Sequence, residues 1–118
     1  MAVSLRNFSF VTQLPLELPP VPVSAIFSAG TGNFTVVFDK TLDANTGSPL
    51  RWAARWQNNS RTLFGVVGWN GFNATGFSNI NVPDIGADFI SYDGLDPDLK
   101  GTNGKAVAAF SIVPTMVP

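Results

Sequence analysis

The chain has 118 residues, the length of one domain, with a net charge of −1 and neither cysteine nor histidine. These counts exclude disulfide bridges, zinc sites built from Cys or His, thiol nucleophiles and histidine general bases. Only 13% of the residues are charged, whereas soluble domains usually carry roughly 25%. Neither nucleic acid nor an anionic membrane is therefore an expected partner, because no strong positive field would attract one.

Residues 1–20 are predicted to form an extended arm that precedes the folded domain. Residues 1–14 carry spaced apolar side chains. The prolines within residues 15–22 exclude a helix or a central strand there and favour the stiff polyproline II conformation. We expect this arm to lie across another subunit. The predicted contact residues of the arm are Val3, Leu5, Phe8, Phe10, Leu14, Pro19 and Pro20.

The beginning of the chain does not have the pattern of a targeting segment. No basic stretch followed by an apolar run of about 7–15 residues is present, so we do not expect a cleavable signal peptide. No apolar stretch approaches the roughly 18 residues that a membrane span requires. We accordingly expect the protein to be assembled in the cytoplasm.

Residues 21–118 have the pattern of an all-β domain. Short strands are predicted at residues 21–29, 34–38, 50–57, 61–69, 72–77, 88–92 and 106–113. Turns are predicted at residues 30–33, at residues 58–60 and at Asn70-Gly71, and residues 39–49 are predicted to form a polar loop. Strands spaced every 8–12 residues or so, without helical periodicity, predict an antiparallel β-sandwich.

The tryptophans and arginines of residues 50–57 are the first candidate site. Leu50, Trp52, Ala54 and Trp56 are predicted to share one face of a strand, with Arg51 and Arg55 on the other. The tryptophans, together with Trp69, could pack in the core, anchor a protein partner or form a flat platform for sugar. The two arginines are predicted to pair with carboxylates of a partner protein, because the guanidinium group makes bidentate contacts.

An acidic loop is a weak candidate for a metal site. Asp93, Asp96 and Asp98 provide the hard oxygen ligands that Ca²⁺ prefers. Their spacing is not that of a known calcium loop, and aspartate is also a favoured turn residue because it bonds to the neighbouring backbone. A solvated turn is therefore the preferred interpretation, with calcium as the alternative. We expect no catalytic residue and no cofactor.

Two stretches of the sequence resemble bacterial Ig-like repeats of the SwmB type. Residues 25–38 and the following Asp39-Lys40-Thr41-Leu42-Asp43 are similar to a family strand that ends in the pattern F-D-x-x-L-D. Residues 89–92 and 99–110 are similar to a later strand and loop of these repeats, with the family Gly-Asn pair inverted at Asn103-Gly104. The resemblance covers roughly residues 21–113 and implies an Ig-like sandwich. Such repeats are adhesive or spacer modules, and similar folds occur in phage virion proteins.

Composition, arm and resemblance together favour a non-enzymatic virion protein. We expect a bacteriophage capsid decoration protein that stabilises the shell by binding across neighbouring subunits of the major capsid protein. A homo-oligomer is expected, with a trimer favoured, and a place in the tail or neck is equally compatible with the sequence. The alternative is an Ig-like adhesion or carbohydrate-binding module of a bacterial surface protein.

Overall fold

The computed structural model describes residues 17–28, 30–56, 59–61, 63–78 and 89–118, which form an all-β sandwich. The elements are β1 (Pro22–Ser28), β2 (Asn33–Gly47), a single 3₁₀ turn (Pro49–Arg51), β3 (Trp52–Trp56), β4 (Asn59–Arg61), β5 (Leu63–Ser78), β6 (Phe89–Tyr92), β7 (Phe110–Ile112) and β8 (Thr115–Val117). The first sheet has the order β5-β2-β1-β8, and the second has the order β4-β3-β6-β7. No helix in the described part of the chain is long and apolar enough to cross a membrane. The prediction of an all-β sandwich is therefore confirmed.

The core lies between the inner faces of the two sheets. Phe34, Val36 and Phe38 of β2 are buried, while the residues between them are partly exposed, as the period of two predicts. The ring of Trp52 is the centre of an aromatic cluster. Its centroid lies 5.9 Å from that of Phe34, 4.9 Å from that of Tyr92 and 5.7 Å from that of Phe110. Aromatic pairs at such distances each contribute about 0.5–1.5 kcal/mol beyond the burial of their area.

Three predicted elements match the structure closely. The strand predicted at residues 21–29 is β1, the alternating residues 34–38 lie in β2, and the strand predicted at residues 88–92 corresponds to β6. The turn between β1 and β2 contains Gly32 with φ of 81°, a left-handed conformation that glycine adopts at little cost. Local alternation and turn chemistry were sufficient at these positions.

Other predicted elements were wrong, because strand pairing or a capping hydrogen bond decides the structure there. Residues 39–47 are not a loop, because β2 continues through them and pairs with β5. Leu50 is 86% exposed and does not share the buried face of Trp52. Ser48 accepts a hydrogen bond from the backbone N–H of Leu50, which begins the 3₁₀ turn instead of a strand.

Two further differences concern strand pairing. Residues 59–61 form β4, an edge strand that pairs with β3, in place of the predicted turn. The strand predicted at residues 106–113 is reduced to β7. It is followed by β8, which pairs with β1 in parallel, whereas the other strand pairs described are antiparallel. Parallel pairing between distant segments has no local signal in the sequence.

The predicted reversal at Asn70-Gly71 occurs within the strand β5. The Cγ2 atom of Val67 lies 3.3 Å from the Cβ position of Gly76, although a straight strand would separate two such residues by about 30 Å. Gly71 has φ of 57° and lies between them. The two halves of β5, hereafter its arms, therefore fold back towards each other. The prediction was wrong in one respect, because both arms pair with β2 and form one continuous strand.

The strand β2 follows β5 around the outside of this bend. Between the pairs Val37–Asn73 and Leu42–Gly71, β2 passes through residues 38–41 while β5 passes through Phe72 alone. A second register shift follows before Asn45 pairs with Trp69. The outer strand needs extra residues because its path is longer, and such insertions also increase the local bend of a ribbon.

The inner side of the bend gives a test with a matched control. A Cβ at position 76 would lie 2.6 Å from Cζ of the buried Phe34 ring, whereas a Cβ at position 68 would meet only Thr46 Cγ2, at 3.7 Å. We expect Gly76→Ala to lower the free energy of unfolding by about 1–3 kcal/mol through overpacking. Gly68→Ala should be neutral or slightly stabilising. Urea unfolding of both variants measures the difference, and equal stabilities would contradict the described packing.

Candidate functional site

The acidic loop after β6 is organised by its own hydrogen bonds. Asp93 Oδ1 accepts from the backbone N–H of Leu95 at 2.9 Å, and Asp96 Oδ1 accepts from that of Asp98 at 3.0 Å. Asp93 Oδ2 also lies 3.3 Å from Nη1 of Arg51. Within the described residues no group of three Asp, Glu, Cys or His side chains could hold a metal ion. Of the weak calcium candidate, Asp93, Asp96 and Asp98, the first two thus use one carboxylate oxygen each to bond to the neighbouring backbone, as turn aspartates do.

The hydroxyl of Tyr92 fixes this loop to the core. It donates to the backbone carbonyl of Asp96 at 3.1 Å and accepts from the backbone N–H of the same residue at 2.9 Å. Burial raises the pKa of the Tyr92 hydroxyl above its ordinary value of 10.0. The neutral hydroxyl is therefore the form that holds the loop. Sequence reasoning identified the aspartates of this loop but missed the tyrosine that positions them.

The two candidate arginines have different surroundings. Arg51 pairs with Asp93 of its own chain, and its backbone carbonyl accepts from the N–H of Asp93 at 3.0 Å. Its side chain is 43% exposed, and an exposed ion pair of this kind contributes about 1 kcal/mol or less. Arg55 is exposed on β3. The structure therefore gives Arg51 an internal partner and leaves Arg55 at the surface.

The described end of the predicted arm is attached to the domain. Asn103 Nδ2 donates to the carbonyl of Leu18 at 3.0 Å. Pro20 is fully buried and packs against Gly101, while Pro19 is partly buried. Pro20 is therefore part of the body and not available as a surface contact. The other predicted contact residues of the arm, Val3, Leu5, Phe8, Phe10 and Leu14, lie outside the described residues.

Residue 21 is held by a carboxylate from the neighbouring strand. Asp39 Oδ1 accepts from the backbone N–H of Val21 at 2.9 Å, and the carbonyl of Val21 accepts from the N–H of Asp39 at 3.0 Å. The first of these bonds, helped by Lys40, keeps the pKa of the Asp39 carboxyl below its ordinary value of 3.8. The ionised carboxylate therefore anchors the start of β1 down to acidic pH.

Trp52 and Trp69 pack in the core and offer no exposed platform for sugar. Their exposed fractions are 4% and 3%. Trp69 lies directly over Gly47, where an added Cβ would be 2.7 Å from Cη2 of the ring. In the described part of the chain, the buried indole N–H groups of both tryptophans lack a hydrogen-bond partner, which is uncommon because such a donor costs about 1–3 kcal/mol. The side chain of Trp56 lies outside what the structure describes.

The outer face of the first sheet carries no charged residue in the part that surrounds β1, whereas Asp39 and Asp43 are exposed farther along β2. The register aligns Thr115, Ile26, Thr35 and Thr75 in one row across the four strands. We call the outward residues of this part the uncharged face: Ser24, Ile26, Ser28, Asn33, Thr35, Val37, Asn73, Thr75, Phe77, Thr115 and Val117. A typical surface would have about 25–35% charged residues. Sequence reasoning missed this face, although the alternating side chains of residues 33–38 already indicated one strand of it.

A cleft lies between the two arms of β5 and overlaps one side of this face. One cavity of about 470 Å³ is lined by the amides of Asn45, Asn70 and Asn73 and the hydroxyls of Thr46 and Thr75, together with Gly68 and Trp69. A second cavity of about 460 Å³ shares Gly68 and Thr75 with the first and continues to Asn33, Thr35 and Phe77. We call the two adjoining cavities the ribbon cleft. The described side chains that line it are uncharged.

Comparison of the chain with family models, with curated proteins and with solved structures gives no match. The described residues therefore define a fold class, an all-β sandwich of two four-stranded sheets. The resemblance to SwmB-type repeats stays an expectation.

Removal of the Tyr92 hydroxyl tests how the acidic loop is held. We expect Tyr92→Phe to lower the free energy of unfolding by about 1–2 kcal/mol, because the backbone N–H of Asp96 loses its partner and its carbonyl keeps only the N–H of Leu99. Ser111→Ala, which removes an exposed hydroxyl from β7, should be neutral. Urea unfolding of the two variants gives the comparison. An unchanged stability of Tyr92→Phe would show that the two hydrogen bonds do not hold the loop.

Proposed function

We propose that this chain is a non-enzymatic structural protein of a bacteriophage particle, and specifically a capsid decoration protein. The observation that supports the proposal best is the uncharged face. Three adjacent strands and a short fourth one present threonine, serine, asparagine and aliphatic side chains there without any ionisable group. Such a face is desolvated at little cost when it meets another protein, because no charge has to be stripped of water. Adhesion through area is the function that fits it.

The size of the uncharged face suggests how the adhesion works. Four strands about 4.8 Å apart and a few residues long cover on the order of 200–300 Å². A stable single interface buries about 800 Å² on each partner. The face alone would therefore give a weak contact, which the symmetric copies of a capsid shell multiply through avidity. The apolar residues of segment 1–14 are proposed to supply further contact area on a neighbouring subunit.

The alternative is an adhesion or carbohydrate-binding module of a bacterial surface protein. The sequence suggested tryptophans as the platform for its sugar. Because Trp52 and Trp69 are buried, a sugar site on this chain would have to be built from other residues. The decoration protein remains the preferred proposal, since the uncharged face suits a protein surface and repeated copies in a shell compensate for its small area.

A charge placed on the uncharged face tests its role in adhesion. Ile26 is 46% exposed and lies in the central row. We expect Ile26→Lys to lower the copy number of the chain in purified nuclease-resistant particles at least about tenfold, because an unpaired buried ammonium costs more than 1.4 kcal/mol. Ser111→Lys, on β7 in the other sheet, should leave the copy number unchanged. Quantitative mass spectrometry of the particles measures both. Equal copy numbers for the two variants would contradict the proposal.

Deletion of residues 2–16 tests the role of the arm. The deletion leaves Leu18 and Pro20 in place, so the attachment to Asn103 and Gly101 is retained and the melting temperature should not change. We expect the copy number of the chain in nuclease-resistant particles, purified from cells that make it, to fall at least about tenfold through the loss of contact area. Quantitative mass spectrometry of the particles is the measurement. Full retention of the shortened chain would reject the arm mechanism.

A further inference from the structure

We propose that the ribbon cleft is a binding site for a neutral oligosaccharide. The cleft shares part of its lining with the uncharged face, but the inference is independent of the proposed role in a capsid, because it concerns a different kind of ligand. It begins from the amide side chains of the cleft. Asn70 and Asn73 are exposed on opposite arms of β5 and line the same cavity. In the described part of the chain their side chains make no hydrogen bond with other residues.

The polar groups of the cleft match the chemistry of a sugar. Each asparagine amide offers both donors and acceptors, and each threonine hydroxyl offers one donor and two acceptors. A sugar presents vicinal hydroxyl groups that need both kinds of partner. A charged ligand would find no countercharge among the lining side chains, and its desolvation would therefore be uncompensated. The cleft thus selects against ionic ligands.

The cleft also has apolar surface. Trp69 lines the larger cavity, with its indole N–H buried in the core away from the surface. At the far end of the other cavity, Phe77 is 40% exposed and supplies apolar surface, against which the C–H face of a sugar ring can pack. Ligand sites typically combine such apolar surface with a few convergent polar groups. The two cavities together accommodate more than one sugar ring.

Gly68 keeps the cleft open. It lies where the two cavities meet, and beyond Thr46 Cγ2 at 3.7 Å nothing would obstruct a side chain at this position. The space is not suited to an additional β-strand. A strand paired with both arms would need them about 10 Å apart, whereas Val67 reaches to 3.3 Å from the Cβ position of Gly76. An inserted peptide strand is therefore disfavoured relative to a saccharide.

The test uses the full ¹⁵N-labelled chain and a panel of neutral hexasaccharides of glucose, galactose, mannose, rhamnose and N-acetylglucosamine. We expect at least one to shift the Asn70 and Asn73 side-chain amide signals saturably in NMR spectra. The signals are assigned from Asn70→Asp and Asn73→Asp. Hexagalacturonate, which is charged, and a neutral octapeptide of serine, alanine and threonine are the comparison probes, and neither should shift these signals.

Variants of the cleft decide whether the binding occurs there. We expect Gly68→Val, which fills the junction of the cavities, and Asn73→Ala each to weaken binding of the hexasaccharide by about tenfold or more. Ser111→Val, at an exposed strand position of the second sheet, should bind as the wild type does. The proposal is overturned if no neutral saccharide shifts the signals, if the octapeptide shifts them and the saccharides do not, or if Gly68→Val binds unchanged. None of these outcomes depends on particles, so the failure of this proposal is distinguishable from that of the capsid role.

Discussion

The reversal of β5 at Gly71 is the constraint on which the rest of the structure depends. Because the arms of β5 approach each other at Val67 and Gly76, β2 has to take a longer path around the outside, and its register shifts there. The same bend brings Trp69 and Phe34 to neighbouring parts of the core. It also forms the ribbon cleft and sets the boundary of the uncharged face. The turn at Gly71 therefore determines both the path of the strands around the core and the shape of the surface.

The packing around this bend leaves little room for additional side-chain atoms. The Cβ positions of Gly76 and Gly47 lie against the rings of Phe34 and Trp69, and that of Gly47 also lies against the carboxylate of Asp96, so the backbone must approach these groups without a side chain of its own. Gly68 is different, since the space beside it is open. The three glycines thus have two functions: two of them admit large rings into the core, while the third leaves a depression at the surface. Composition alone does not distinguish these functions.

Local patterns predicted those parts of the fold that local chemistry decides. The alternation of Phe34, Val36 and Phe38 gave the inner face of β2, and Asn70-Gly71 gave the position of the reversal. Leu50 was misplaced because the hydrogen bond of Ser48 to its N–H is a capping contact that the alternation conceals. The continuation of β2 and the parallel pairing of β8 were not predictable, since both depend on partners far away in the sequence. The acidic loop was recognised as a turn, but not the role of Tyr92 in holding it. For the same reason the asparagines of the cleft, which come from two strands, could not be grouped.

The position of β8 has a consequence for the shape of the first sheet. β8 pairs with the edge of β1 that faces away from β2, through three residue pairs. Beside these pairs, Ser28 Oγ donates a hydrogen bond to the carbonyl of Pro118. So short a ladder opens more readily than the long pairing of β2 with β5. When it opens, β1 presents a row of backbone donors and acceptors that any extended segment can occupy. The first sheet is therefore held at this edge only by a short pairing. Exchange of β8 between two molecules would join them without any change in the core.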